Sequence, residues 1–406
     1  MHDRLEDDFS VLAKGCSHVI DEADLRRKLA RKKPLVVKVG FDPSAPDIHL
    51  GHTVLLHKMR HFQNRDHRVI FLIGDFTGLI GDPSGKKSTR PQLTREEIEK
   101  NAQTYAEQCY KVLDQNKTEI AYNSWWFLGN PEKGFKPLGA DGFVRLASRI
   151  TVARVLERDD FQRRWNAHQP IALHELMYPL SQGFDSVALQ ADVELGGTDQ
   201  LFNLLLGRDL MREEGMEPQV VMTVPLLVGT DGVEKMSKSL GNAIGVSDPP
   251  PDMYGKLMSI SDETMWSYYL LLTDDLPAAI DEKKRTMHPM DAKKALALQI
   301  TRRYHGEPAA AAAQEDFVRV FSKREDPARY EEIVLPASDA ADPLPKLLVE
   351  SGLAPSNAEA RRLIASGAVD VDDVRANDPK QAISRAAGSE VRLRVGKRRF
   401  AKIVFR

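Results

Sequence analysis

The chain has little cysteine, and that bounds its chemistry first. Cys16 and Cys109 are the only two in 406 residues. They can close at most one disulfide and cannot make a cysteine zinc site. Reduced, buried thiols are expected. Long apolar runs are missing too: no stretch approaches the roughly 18 residues that cross a bilayer. The opening segment, Met1-His2-Asp3-Arg4-Leu5-Glu6-Asp7-Asp8, is charged and has no apolar h-region. A secretory signal is therefore not expected, and a cytoplasmic location is. Internal repeats are absent, and low complexity is confined to an alanine run at 309–313. Neither sign of charge dominates, with 57 Lys+Arg against 59 Asp+Glu. What remains is an ordinary globular composition, 42% hydrophobic and 29% charged, at a length that predicts two or three domains.

The near-zero net charge hides an asymmetry. Residues 343–406 hold 13 basic and 7 acidic side chains, a net of +6. The rest holds 44 basic and 52 acidic, a net of −8. A basic module on an acidic body suits a polyanion partner. An ordinary solvated basic face reads the same from charge alone.

Periodicity predicts a helix over 10–33, then a buried strand at Pro34–Gly40. Two prolines make Phe41–Asp47 a turn. Leu50, Val54, Leu55, Leu56, Met59 and Phe62 recur with helical spacing, and Val69–Asp75 is a second strand. Strand, loop, helix and strand make a βαβ unit, so an α/β fold with a parallel sheet is expected. Residues 93–190 read as mostly helical, Gln219–Val228 as another strand, and 250 to about 332 as helical. Leu335–Pro343 reads as a linker. Ser356-Asn357-Ala358-Glu359 is a capping-box pattern opening a helix that ends near Gly367. Val369–Val371, Val391–Val395 and Phe400–Phe405, with a turn at Gly396-Lys397, complete a small module of helix and hairpin.

Two motifs carry chemistry. Asp47-Ile48-His49-Leu50-Gly51-His52 lies where the first strand feeds a helix. A helix N-terminus offers unpaired N–H groups to phosphates, and Gly51 permits close approach. Histidines three apart share a helix face. Lone histidines usually serve packing or the surface, but this pair falls at the carboxyl edge of a parallel strand, where α/β ligands bind. The second motif is Lys235-Met236-Ser237-Lys238-Ser239-Leu240-Gly241-Asn242. Two ammonium groups three apart on a Ser/Gly loop can grip a polyphosphate as its charge develops. Two misreadings fall away. Gly81–Lys86 is no Walker loop, because Ile80 stands where its first glycine belongs and Lys87 follows Lys86. His57 and His61 sit at i, i+4 but have no evident third ligand for a metal.

HLGH resembles the HIGH signature of class I aminoacyl-tRNA synthetases, and KMSKS matches the second signature of that class. They stand in the family's order, about 185 residues apart. Gly40–Pro46, Thr77–Lys86, Tyr178–Asp185 and Leu195–Gln200 resemble four segments of the bacterial tyrosyl enzymes, and Gly352–Ile364 looks like an S4-type RNA-binding module. The resemblance covers nearly the whole chain. It implies a Rossmann-type catalytic domain at 1–240 with a helical insertion at about 93–190. A helical anticodon-side domain at 241–332, a linker at 333–342 and an S4-like domain at 343–406 would follow, in a homodimer. It implies tyrosine, ATP (with Mg2+ expected) and tRNA(Tyr) as substrates, with no tightly bound cofactor or protein-held metal.

The first step, attack of an amino-acid carboxylate on the ATP α-phosphorus, needs no general base, because the carboxylate is already ionised at neutral pH. Positioning and charge stabilisation should carry it. The resemblance assigns catalysis to His49, His52, Lys235 and Lys238, helped by Lys86 and Arg90. Asp42, Gly51, Gly197, Asp199, Met236, Ser237 and Ser239 would complete the ATP site. Asp82, Tyr178 and Gln182 would surround the substrate ammonium, with Thr77 nearby and Gln200 near its carboxylate. Asp185 would receive the phenol, and a buried acceptor left unpaired by phenylalanine would give specificity. Many bacterial relatives place a tyrosine at the position of Lys38; here Lys38 either replaces that second phenol contact or balances Asp185 or a neighbouring carboxylate. Arg361 and Arg362 would contact RNA or remain solvated charges. A tryptophanyl enzyme and a non-catalytic RNA or tyrosine binder are the competing readings. The polar Gln182/Asp185 pair opposes the first, and the intact HLGH and KMSKS oppose the second.

Overall fold

The two apolar runs expected as strands lie side by side in the computed structural model. It describes residues 2–43, 47–82, 94–319, 331–396 and 399–406. The described residues form two units, Met1–Gly306 and Glu307–Arg406.

The first unit carries a six-stranded sheet. Its strands are β1 (His18–Ile20), β2 (Val36–Phe41), β3 (Arg68–Ile73), β4 (Thr118–Tyr122), β5 (Val193–Gly197) and β6 (Val220–Val224), in the order β1-β6-β5-β2-β3-β4. All neighbours are parallel except β1, which runs antiparallel to β6 at the edge. β2, β3 and β6 are β-branched, apolar and buried, as strands covered on both faces must be. The helix Leu50–Gln63 returns the chain from β2 to β3, while β5 joins β2 on its other side. Strand order therefore reverses between β2 and β5, and a crevice opens beyond their carboxyl ends.

Several expectations are corrected. The stretch 10–33 is two helices, His2–Ala13 and Glu22–Ala30, separated by β1. Gly15, at φ +67°, ends the first. β4 interrupts the helical insertion with five residues, too few for periodicity to declare. β5 was not expected, because Gly196 and Gly197 are weak strand formers. The two units divide after Gly306, within the stretch expected as one helical domain, where that glycine at φ +82° stops the helix Pro289–His305.

In the second unit, β9 (Val369–Val371), β10 (Val374–Ala376), β12 (Glu390–Val395) and β13 (Arg399–Phe405) form a sheet with β7 (Glu331–Leu335). The expected linker 333–342 is instead largely paired. β7 runs parallel to β13, and β8 (Ser338–Pro343) runs antiparallel to β11 (Ala382–Arg385). A polar, alanine-rich sequence gives no pattern there, but long-range pairing overrides local preference. The Arg385 guanidinium also ties Asp342, Glu350 and the Pro336 carbonyl together. Ser356 caps the helix Asn357–Ala365 by accepting from Glu359 N at 3.2 Å, and Gly367 follows at φ +66°. Leu347, Leu348, Ile364, Leu393, Ile403 and Phe405 make a separate core, each fully enclosed.

Candidate active site

The crevice between β2 and β5 deepens into a cavity of about 600 Å³. Gly40, Phe41 and Asp42 enter from β2, and Gly196 and Gly197 from β5. Both signature motifs reach it. His49 is the N-cap of the helix Leu50–Gln63. Its Nδ1 accepts from Gly51 N at 3.1 Å, and His52 Nδ1 accepts from His49 N at 3.2 Å. Two histidines thus build a reciprocal capping box where Ser and Glu usually stand. An Nδ1 that accepts a backbone N–H is unprotonated, so each ring keeps its proton on Nε2 as a donor. Burial holds His49 down to about 4 and His52 to about 3, and Lys238 adds to both shifts. These are neutral donors at pH 7.

The KMSKS residues line the same cavity. A bridge between Val228 and Lys235 closes the base of their loop. Buried Asn242 accepts from Ser237 N at 2.8 Å and donates to the Lys235 carbonyl at 3.2 Å. Met236 is buried, and Lys238 pairs with Asp47, just before HLGH. The loop therefore lies against the helix terminus it is expected to work with.

The amino-acid residues form a second cluster. Tyr178 donates to Asp42 Oδ2 at 2.9 Å, and Thr77 Oγ1 donates to Asp42 Oδ1 at 2.8 Å. A Cβ at Gly74 would fall 2.1 Å from that Oδ1, so only glycine fits beneath the aspartate. Burial, reinforced by Asp42, pushes the Tyr178 phenol well up, so it stays a donor. Gln200 donates to Asp82 Oδ2 at 2.9 Å, and Asn203 joins Gln182 and Gln200. Asp185 is buried and accepts from the Trp126 indole at 3.0 Å. Desolvation drives its carboxyl up to about 8, opposed by Lys38 and aided by Glu194.

Comparison with known proteins decides the family. Residues 30–322 match the model of class I tRNA synthetases (W and Y), and residues 333–403 match the tyrosine–tRNA ligase SYY-like C-terminal domain. A curated tyrosine–tRNA ligase from Oleidesulfovibrio alaskensis is 51% identical over 99% of this chain and 100% of its own length. One from Geobacter sulfurreducens is 50% identical over 98% of this chain and 99% of its own. The chain belongs to the tyrosine–tRNA ligase family. It is a class I aminoacyl-tRNA ligase. Among solved structures, the tyrosyl-tRNA synthetase of Archaeoglobus fulgidus complexed with L-tyrosine matches at TM-score 0.60 and 21% identity, covering 76% of this chain and 99% of that one. A C-terminally truncated mitochondrial enzyme of Aspergillus nidulans reaches 0.63 at 20%, covering 79% and 100%. At such identities these two establish the fold.

Within this family frame, the cavity gathers nearly every residue singled out in the sequence. His49, Gly51, His52, Asp42, Thr77, Asp82, Tyr178, Gln182, Asp185, Gly197, Asp199, Gln200, Lys235, Met236, Ser237, Lys238 and Ser239 all line it. Lys38 does not. Its ammonium is fully buried 2.7 Å from Glu194 Oε1, facing it across the β2–β5 register. It is no phenol ligand in this arrangement: it neutralises Glu194, which also accepts from Ser186 Oγ at 2.7 Å and Gln219 Nε2 at 2.8 Å. Lys86 and Arg90 lie outside the described residues. His57 and His61 are buried packing groups, His57 meeting Tyr304 and Arg303 and His61 meeting Asp274. Among the described residues no group of three or more His, Cys, Asp or Glu side chains is set to hold a metal. No helix there is long and apolar enough to cross a membrane. The sequence reading missed Trp126, Arg158 and Asn203. Trp126 and Arg158 reach Asp185 and Asp82 from 59 and 76 residues away, and Asn203, though three residues from Gln200, belongs to no motif that would mark it.

Proposed function

We propose that the protein activates L-tyrosine with ATP, forming tyrosyl-adenylate and pyrophosphate, and passes the tyrosyl group to the 3′ end of tRNA(Tyr). The carrying observation is that HLGH, KMSKS and the Asp82/Tyr178/Gln182/Asp185 set line one cavity. The substrate carboxylate attacks the α-phosphorus while His49 and His52, as neutral Nε2–H donors, steady the phosphate. Lys235 and Lys238 take up the charge growing on the departing pyrophosphate, which requires Lys238 to exchange Asp47 for phosphate oxygen. Mg2+ arrives with the nucleotide substrate. Gly197, Asp199 and the loop residues Met236, Ser237 and Ser239 border the nucleotide. Asp82, Tyr178 and Gln182 receive the ammonium, Gln200 the carboxylate, and Asp185, steadied by Trp126, the phenol. In the second step a terminal ribose hydroxyl of the tRNA attacks the adenylate's carbonyl, the ester forms as the acyl–phosphate bond breaks, and AMP leaves with the hydroxyl's proton passing to its phosphate or to solvent.

The remaining organisation belongs to the same reading. The body through about residue 240 is catalytic, the helices that follow face the anticodon side, and the basic C-terminal module binds RNA, with exposed Arg361 and Arg362 available on one helix. Val144, Val152, Trp165 and Leu173 on the helical insertion are at least 61% exposed, apolar surface that a second copy of the chain would cover. The location is cytoplasmic. Tyrosine-dependent ATP–pyrophosphate exchange, run without tRNA and with tryptophan and phenylalanine as controls, tests the activity. Exchange with tyrosine alone is expected; exchange with tryptophan instead would move the pocket to the sister specificity, which the buried Asp185–Trp126 pair opposes.

A further inference from the structure

The polar groups behind the amino-acid end of the cavity close into a ring. Arg158, at the N-terminal end of the helix Asp159–Asn166, is only 4% exposed. Its Nε lies 2.8 Å from Asp160 Oδ1. Its Nη1 donates to Asn203 Oδ1 at 3.1 Å, and its Nη2 to Asp82 Oδ1 at 3.2 Å. Asn203, 1% exposed, donates from Nδ2 to Gln182 Oε1 at 2.8 Å and to Gln200 Oε1 at 3.0 Å. Gln200 Nε2 returns to Asp82 Oδ2 at 2.9 Å.

A guanidinium has five donors and no acceptor, so it dictates the sense of each bond that follows. Asn203 must turn its oxygen to Arg158, which leaves both Nδ2 protons for the glutamines. Each glutamine must then turn Oε1 toward Asn203. Gln182 keeps one lone pair on that oxygen for a cation, the polarity an ammonium requires, and Gln200 turns its Nε2 donor to Asp82 Oδ2. With Asn203 flipped, its NH2 would face the guanidinium and its oxygen would face two carbonyl oxygens. We infer that Arg158 is a positioning residue for recognition of the amino acid's α-ammonium, fixing through Asn203 and Asp82 which atoms the substrate meets. The inference rests on the proposed assignment of Asp82 and Gln182 to that ammonium.

Binding of L-tyrosine and of 3-(4-hydroxyphenyl)propionate, the same molecule without its amino group, to the full-length protein tests it. Arg158→Met should weaken tyrosine about tenfold or more, the effect of losing a charged hydrogen bond. The des-amino ligand should move by less than about twofold, since its missing group is the one affected. Arg158→Lys should restore part of the loss. Asp82→Asn tests the underlying assignment separately. If it fails to weaken tyrosine selectively, the ammonium reading is wrong. If it does weaken tyrosine selectively while Arg158→Met has no effect or weakens both ligands equally, the assignment stands and the inference falls. Should Arg158→Met not fold, Asn203→Asp keeps the Arg158 contact but removes the two donors. Selective loss of tyrosine in that variant upholds the inference, and equal loss of both ligands overturns it.

Discussion

Asp185 shows how much a single residue's surroundings decide. Desolvation of a carboxyl buried in the cavity wall, against the indole N–H of Trp126, lets it hold its proton to about pH 8. In the unfolded chain it would ionise at the ordinary carboxyl value, so its folded pKa is raised. Its contribution to stability is therefore complete below about pH 4 and is lost as pH rises toward 8. Asp185→Asn should remove that loss and raise the melting temperature at pH 8 by a few degrees, and at pH 5 by only about a quarter as much. The same variant should cut the preference for tyrosine over phenylalanine in pyrophosphate exchange by about tenfold, because the phenol loses a partner that can become charged. A variant no more stable at pH 8, or as selective as before, would count against this account. The signature histidines make the opposite case. Burial depresses both, so they stay neutral across the range around pH 7. Depressed pKa values mean that stability is lost as pH falls below the unfolded value near 6.5. The exchange rate, however, should show no limb at about 6.5, the ordinary imidazole value. A limb there that disappears in His52→Asn would show that protonated imidazole takes part.

At the scale of elements, the register of β2 against β5 sets Lys38 across from Glu194 in a sheet buried on both faces. Breaking one partner leaves an uncompensated buried charge and costs about 3–5 kcal/mol, whereas neutralising both is close to neutral. Lys38→Met should therefore unfold at markedly lower denaturant, and Lys38→Met with Glu194→Gln should recover most of the difference, since glutamine still accepts from Ser186 and Gln219. Equal stabilities for single and double variants would refute the pairing argument. The same strands show what a sequence declares. β2, β3 and β6 were legible because β-branched runs have few other uses. β5 was not, because the glycines that let ligand approach its carboxyl end also erase its strand pattern. Lys38 was legible as an anomaly but not as half of a pair: Glu194 lies 156 residues on, and only strand order brings them together. The motif residues of the cavity were readable because their segments resemble those of the family. Trp126 and Arg158 were not, because their partners lie far off in the chain, nor was Asn203, whose role depends on Arg158 and Gln182 as much as on nearby Gln200.

For the whole molecule the decisive fact is that each unit has its own core. The C-terminal unit encloses Leu347, Ile364 and Phe405, and the first encloses Ile70, Leu72 and Ala121. The cavity is lined by residues from Gly40 to Ser239, all within the first unit. Ending the chain at Gly306 should therefore preserve tyrosine-dependent exchange while transfer to tRNA falls by about a hundredfold, because in the proposed function the basic module supplies phosphate contacts that adenylate formation does not use. Charge sharpens the expectation. A module of net +6 on a body of net −8 can bind a polyanion only through local contacts. Binding of tRNA should then weaken steeply with salt. Arg361→Ala with Arg362→Ala should lower the slope of log K against log salt by about 1.5, roughly 0.7–0.9 for each phosphate no longer neutralised. The exchange activity of that variant should not change. An unaltered slope would return both arginines to the solvated face of their helix, and the RNA contacts would have to come from other basic residues of the module.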